Sequence, residues 1–214
     1  MQKQEKWTEE KLDALLTSPS QELVRDMRNL KGDVLVLGAG GKMGPTLCLL
    51  LHNALKAAGL ENQIKITAVS RFSDPLAVQL LKQHDIHILS VDLLAPGALE
   101  TLPPAPNVIY MAGRKFGTDG QEYLTWAMNA WLPSRVAQRY KDSRIVVFSS
   151  GNLYPKVPIR SGGATEETPT EPVGEYCMSC QGRERMFEYA ARTFGTKVAF
   201  YRLNYAVDLR YGVL

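Results

Sequence analysis

The stretch Val34-Leu35-Val36-Leu37-Gly38-Ala39-Gly40-Gly41-Lys42-Met43-Gly44, continued by Pro45-Thr46-Leu47-Cys48-Leu49-Leu50-Leu51, decides the fold. Four apolar residues bounded by Asp33 and Gly38 suit a strand covered on both faces, and the run after Gly44 continues as a helix with an apolar face. The glycines therefore stand at a strand-to-helix junction. There the first permits a tight turn, the middle ones let backbone N–H groups approach a pyrophosphate, and the last lets the helix pack close to the strand. Because aligned amide dipoles leave a helix N-terminus partly positive, the junction reads as a phosphate cradle formed by Gly38, Gly41, Lys42, Met43 and Gly44. Glycine runs also build ordinary turns, so the reading leans on its surroundings.

A second apolar strand, Ile64-Lys65-Ile66-Thr67-Ala68-Val69, follows and ends in Ser70-Arg71. In a dinucleotide-binding unit the end of this strand lies beside the adenosine ribose. A carboxylate there accepts from both ribose hydroxyls, whereas Arg71 offers a positive fork suited to a 2′-phosphate. Ser70 and Arg71 thus favour NADP over NAD. The plainer alternative is a solvated arginine after a strand.

At 214 residues and 45% hydrophobic content, the chain can bury one sizeable core. Its 25 basic and 22 acidic residues give a net charge of +3 and are scattered along the sequence, which argues against a nucleic-acid surface. The apolar runs are too short to span a bilayer, so no membrane partner is expected, and Met1-Gln2-Lys3-Gln4-Glu5-Lys6 lacks the apolar core of a signal peptide. Three cysteines suit a reducing compartment, and the expectation is a cytoplasmic protein.

Along the chain, Thr8 can cap a helix over 9–16, and Ser18-Pro19-Ser20-Gln21 reads as a capping box opening a helix over 20–30 with proline at its first position. These make a helical N-terminal extension, 1–31, ahead of a domain over 32–214. Strands are expected at 33–38, 64–69, 86–91, 107–112, 144–149 and 197–202, with helices at 45–58, 74–83, 121–140 and 175–194. Strict alternation specifies an α/β fold, a Rossmann-type doubly wound parallel sheet of at least six strands, with right-handed crossovers giving the order 3-2-1-4-5-6. The polar, Pro/Gly-rich segment 155–174 is expected to be a long functional loop.

The later strand ends carry the candidate chemistry. Asp92 could bond an adenine amino group while Leu93 lines the ring pocket, and Ala112-Gly113 is small enough for a cofactor to run past. Ser149-Ser150 ends strand five, and Tyr176 stands 26 residues beyond Ser150 near a helix start. A phenol beside a nicotinamide can act as general acid or base for alcohol/ketone interconversion, with a serine hydroxyl binding the same substrate oxygen.

From about residue 33 to 205 the sequence resembles the extended short-chain dehydrogenase/reductases, the NAD(P)-dependent epimerase/dehydratase group that acts largely on nucleotide-linked sugars. The residues carrying the likeness arrive in the family's order: Gly38, Gly41 and Gly44; Asp92-Leu93; Ala112-Gly113; Asn129; Ser149-Ser150 with Tyr154-Pro155; Tyr176; Glu184; and Arg202 with Asn204. The resemblance implies Ser150 and Tyr176 as catalytic serine and tyrosine, with Asn129 organising the site. It also implies a sugar-like small-molecule substrate. A homodimer follows from the helices of Asn129 and Tyr176, where Trp126, Trp131 and Tyr140 supply apolar surface.

Two departures temper that likeness. The family has a lysine four residues after the tyrosine, which binds the nicotinamide ribose and lowers the phenol's pKa; here that cofactor-binding position is Cys180, which supplies no cation. Arg183, seven residues after Tyr176, shares its helix face but sits one turn further along. Cys177 and Cys180 have Cys-x-x-Cys spacing, yet neither Cys48 nor His52, His84 and His87 completes a zinc set, so no metal is expected, and His84 and His87 read as surface or edge residues. The second departure is length. The family's substrate domain follows strand six, and the apolar ending Tyr211-Gly212-Val213-Leu214 reads as an interrupted core element, which favours a fragment of a longer polypeptide over a naturally shortened member whose substrate contacts come from loop 155–174 and a partner chain. Two functions follow: an NAD(P)-dependent epimerase, dehydratase or reductase with Tyr176 as acid/base, or a degenerate NAD(P)-binding domain serving as sensor or structural subunit.

Overall fold

A computed structural model describes residues 8–115 and 119–204; the apolar ending over 211–214 lies outside them. The chain divides into two compact units at Ser90 and Val91. In the first, the quoted apolar run forms β1 (Val34–Leu37), all four residues buried. It pairs in parallel with β2 (Ile66–Ser70), Leu37 opposite Val69, and β2 pairs in parallel with β3 (His87–Ser90), Ser70 opposite Ser90.

Helices α1 (Glu9–Leu16) and α2 (Gln21–Met27) precede β1. Thr8 Oγ1 accepts from the Lys11 N–H at 3.2 Å, which caps α1. The cap of α2 is Ser20, accepting from the Leu23 N–H at 3.2 Å, so Pro19 lies outside the helix instead of at its first position. Ser20, two residues nearer than Ser18 to the orphan N–H groups, wins the role. The Asn53 side chain donates to the Thr17 carbonyl at 2.9 Å and ties this extension to α3 (Gly44–Ala58).

α3 buries Cys48, Leu49, Leu51, Ala54 and Leu55, and ends at Gly59, whose φ of 74° is the left-handed cap conformation. Asp74 caps α4 (Pro75–Gln83) through the Leu76 N–H at 2.9 Å. His84, at the end of α4, is half-buried, with its ring edge-on to His52 at 5.6 Å, and so is not a free surface residue.

The second unit carries β4 (Asn107–Tyr110), β5 (Arg144–Ser150) and β6 (Lys197–Leu203), parallel, with Tyr110 opposite Val147 and Ser150 opposite Leu203. The helical run expected between β4 and β5 has three parts: α5 (Glu122–Trp126), a π turn over Ala127–Trp131, and α6 (Leu132–Arg139). Gly174, at φ 81°, opens α7 (Gly174–Phe194), and Gly195 closes it. The six strands run in the order β3-β2-β1-β4-β5-β6. Tyr110, Phe187, Leu132, Ile145 and Leu153 are fully buried in the second unit, and each apolar side chain so placed contributes about 1.5–3 kcal/mol. Tyr140 belongs inside too: it is buried, and its hydroxyl donates to the Pro103 carbonyl at 3.0 Å, so the surface expected of it falls to Trp126 and Trp131, which are exposed.

Candidate functional site

In the first unit the glycine loop is bound to the end of β2. Gly38, at φ 95°, and Ala39 both donate their N–H groups to the Val69 carbonyl, at 2.8 and 3.1 Å. Gly41 donates to Gly38 at 3.2 Å and Gly44 to Gly41 at 3.1 Å, so two successive turns carry the chain into α3. A Cβ on Gly44 would sit 2.1 Å from the Ala39 carbonyl oxygen, which is why the helix can start directly against the loop. At Gly41 a Cβ would meet only the Gly38 oxygen at 3.5 Å, leaving that side open, and Gly41 and Lys42 are exposed. The Gly40 and Met43 N–H groups donate to no other described residue. Open amides at a helix start, with no side chain over them, fit a pyrophosphate.

Gly40, which the sequence pattern does not single out, matters for a different reason. Its Cβ would lie 2.7 Å from the Ser70 hydroxyl and 3.3 Å from the Phe72 ring, so glycine allows the end of β2 to close on the loop. Phe72 has φ 49°, rare for an aromatic residue. Arg71 is exposed, its backbone carbonyl accepts from Ser90 Oγ at 3.2 Å, and its guanidinium pairs with no described residue. The corner thus offers a hydroxyl and an unpaired cation beside the loop.

In the second unit, parallel β5 delivers Ser150 at its end, and Tyr176 is the third residue of α7. The Ser150 hydroxyl lies close enough to the Tyr176 phenol to draw its pKa down, and Ser150 Oγ accepts from the Asn152 N–H at 3.2 Å. Cys180, one turn beyond Tyr176, is fully buried and lies beside the phenol. Burial first, then the Cys180 thiol, push the Tyr176 phenol up to about 12; Arg183 and Ser150 pull it down. The Cys180 thiol is also raised, chiefly by burial, against the pull of Arg183. Near neutral pH the phenol therefore carries its proton. Lys115, on the segment after β4, holds its ammonium 5.8 Å from the Tyr176 ring centroid. No spacing signal marks Lys115, because it reaches the ring from an irregular segment.

The π turn aims Asn129 inward, where all its hydrogen-bonding capacity is used. Its Oδ1 accepts from the Arg114 N–H at 2.8 Å and from Arg183 Nη2 at 2.9 Å; its Nδ2 donates to the Arg114 carbonyl at 2.9 Å and to Ser179 Oγ at 3.0 Å. Asn129 thus ties the chain after β4 to α7. Ser149 Oγ is buried and has no partner among the described residues. Glu184, Arg202 and Tyr154 form a second cluster: Arg202 binds the Glu184 carboxylate through Nε at 3.0 Å and Nη2 at 2.8 Å, and donates from Nη1 to the Tyr154 hydroxyl at 2.8 Å. These contacts hold the Arg202 guanidinium above its usual range.

Asp92 does not join these clusters through its recorded bonds; its carboxylate accepts from the Leu94 N–H at 3.0 Å in an exposed turn. Leu93 and Ala112 are buried and Gly113 is exposed. Cys177 and Cys180 are free thiols, and among the described residues no group of three His, Cys, Asp or Glu side chains is placed to hold a metal ion. No helix among them is long and apolar enough to cross a membrane.

Comparison with known proteins gives a consistent picture. Residues 34–206 match the family model for the NAD dependent epimerase/dehydratase family. No curated protein sequence matches the chain. Similar solved structures include UDP-glucuronic acid 4-epimerase from Bacillus cereus in complex with NAD, 17% identical, covering 80% of this chain and 56% of that one at a TM-score of 0.64. Another is the UDP-Glc/GlcNAc 4-epimerase from Campylobacter jejuni, 15% identical over 80% of this chain and 53% of that one, TM-score 0.67. A third is dTDP-glucose 4,6-dehydratase from Bacillus anthracis in complex with NAD, 17% identical over 80% and 54%, TM-score 0.65. The chain spans about half the length of these structures, and at such identities the likeness shows the fold.

Proposed function

Because the chain belongs to the NAD dependent epimerase/dehydratase family, we propose that it binds a nicotinamide dinucleotide and interconverts an alcohol and a ketone on a nucleotide-linked sugar. The observation that carries this reading is the meeting of the Ser150 and Tyr176 side chains at the end of β5. The glycine loop would hold the dinucleotide pyrophosphate, which its open amides fit. The bound dinucleotide supplies a hydride acceptor or donor. The protein's own residues do the rest: Ser150 Oγ positions the substrate oxygen, and Tyr176 Oη exchanges its proton. A phenol raised to about 12 keeps its proton at neutral pH, so Tyr176 stands in the acid form that the reductive direction consumes, as a weaker acid than an ordinary phenol.

We assign the cofactor as NADP over NAD, supported by Arg71, exposed beside Ser70 and paired with no described residue. A cytoplasmic homodimer is proposed with it, the exposed Trp126 and Trp131 giving apolar surface on the helices before β5. The family likeness is the further support for the dimer. Titration of the protein with NADPH and NADH by cofactor fluorescence, followed by incubation with UDP-glucose, UDP-glucuronic acid and dTDP-glucose and NMR of the products, tests the assignment. Tyr176→Phe should keep cofactor binding and lose turnover. Equal turnover in Tyr176→Phe would overturn the reading. A second reading, a degenerate binding domain, is favoured by the buried Cys180 beside Tyr176. It predicts cofactor binding with no turnover on any of these sugars, and gain of turnover in Cys180→Lys.

A further inference from the structure

Arg183 is buried, only 5% exposed, yet among the described residues none of its partners is a carboxylate. Nη1 donates to the Phe148 carbonyl at 2.7 Å and Nη2 to Asn129 Oδ1 at 2.9 Å, the guanidinium lies 5.7 Å from the Tyr110 ring centroid, and Nε is buried without a partner among the described residues. The buried acid nearest in sequence, Glu184, is engaged by Arg202. A buried cation with neutral partners costs several kcal/mol in desolvation, and mutation would readily discard it unless something in its field used the charge.

The groups in that field are those of the proposed site. Tyr176, Cys180 and Arg183 are spaced four and three residues apart on α7 and so share a helix face. Resting on the reading of Tyr176 as the acid/base group, we propose that Arg183 supplies the positive charge for its phenol from the buried face of α7, one turn beyond Cys180, with Asn129 and the Phe148 carbonyl as its clamps. Three features of the packing serve this placement. Gly113 leaves room for the guanidinium, since a Cβ there would stand 2.6 Å from Nη2. The clamps are neutral, so they orient the cation without cancelling it. Burial removes the solvent screening that weakens an exposed charge. Of the phenol's charged and polar neighbours, Cys180 and Ser150 are neutral at physiological pH and Arg183 draws the proton off; Lys115 is exposed and lies over the ring. Arg183 is therefore a positioning residue, acting on the proton of Tyr176 without contact to substrate.

The test replaces Tyr176 in the full chain by 2,3,5-trifluorotyrosine, which titrates near neutral pH, and follows its 19F shift against pH. Arg183→Gln keeps a polar amide on this face while deleting the charge, and should raise the midpoint by about one unit, a tenfold change in proton affinity. Cys180→Lys in the Arg183→Gln background should return it to the original value or below. Lys115→Met should leave it in place. An unmoved midpoint in a cooperatively melting Arg183→Gln protein overturns the proposal, as does a shift in Lys115→Met equal to that in Arg183→Gln. If Arg183→Gln fails to fold, Gly113→Ala, which presses on Nη2, takes its place, and an unmoved midpoint there overturns the proposal equally. Turnover is read separately: Tyr176-independent turnover with a shifted midpoint sinks the functional reading alone, and Tyr176-dependent turnover with an unmoved midpoint sinks the charge assignment alone.

Discussion

Gly113 and Arg183 occupy adjoining space so completely that a single added methyl at residue 113 would stand 2.6 Å from the Arg183 guanidinium. The next obstacle, Asn129 Oδ1 at 3.3 Å, is itself held by Arg183, so neither neighbour can withdraw without losing its partner. Gly113→Ala should therefore destabilise the protein by about 1–3 kcal/mol through overpacking, measured by urea denaturation. A substitution that leaves the midpoint of unfolding unchanged would show that the guanidinium yields freely.

Glu184→Gln should lower stability by about 3 kcal/mol, because it leaves the Arg202 guanidinium half-buried with its two-pronged partner neutralised. The loss should persist in 1 M salt. An exposed pair such as Arg192 with Glu188 should contribute under about 1 kcal/mol and fade in the same salt.

Alkaline stability should depend on Tyr176. Its phenol is raised from 10.0 to about 12, so above pH 10 the unfolded chain releases a proton that the folded chain keeps. Folding stability contributed by this group is then complete below pH 10 and falls as pH rises towards 12. Burial raises Tyr110 and Tyr140 in the same direction, so part of the slope remains when Tyr176 is removed. Chemical denaturation at pH 9 and pH 11 should show a smaller decline for Tyr176→Phe than for the parent; an identical decline would refute the coupling.

Two glycines three residues apart should respond oppositely. Gly44→Ala drives a Cβ to 2.1 Å from a backbone oxygen and should disturb the junction of loop and α3, lowering the melting temperature. Gly41→Ala meets nothing closer than 3.5 Å and should fold normally, yet weaken dinucleotide binding by about tenfold or more, because the methyl stands where the phosphates approach. Equal effects of the two changes on melting would contradict the distinction.

The strands and the order of the sheet were legible in the sequence because β1 and β2 read as buried apolar runs and glycines punctuate the alternation, Gly38 after β1 and Gly195 between α7 and β6. The meeting of Ser150 and Tyr176 follows from the same topology, which puts strand ends and the following helix starts together. What escaped was set by side-chain reach. Lys115 comes to the Tyr176 ring from an irregular segment, Tyr140 turns inward to the Pro103 carbonyl, and Gly40 leaves room for the Ser70 side chain. Pro19 shows how a cap competes: two serines flank it, and only the geometry of the Leu23 N–H decides between them.

The π turn over Ala127–Trp131 makes chain length itself a determinant of the site. A π turn carries one residue more than regular helix would, so removing any one of those five residues would heal the hydrogen-bond ladder and could leave the helix no less stable. It would also move residues inside the segment by about one position, roughly 100°, around the helix axis relative to the flanking turns, because the wide turn and the regular turn both close in about one revolution. Asn129 would then leave its four bonds to Arg114, Arg183 and Ser179. A deletion that improves the helix would dismantle the clamp, so this stretch is fixed in its count of residues more firmly than in their identity.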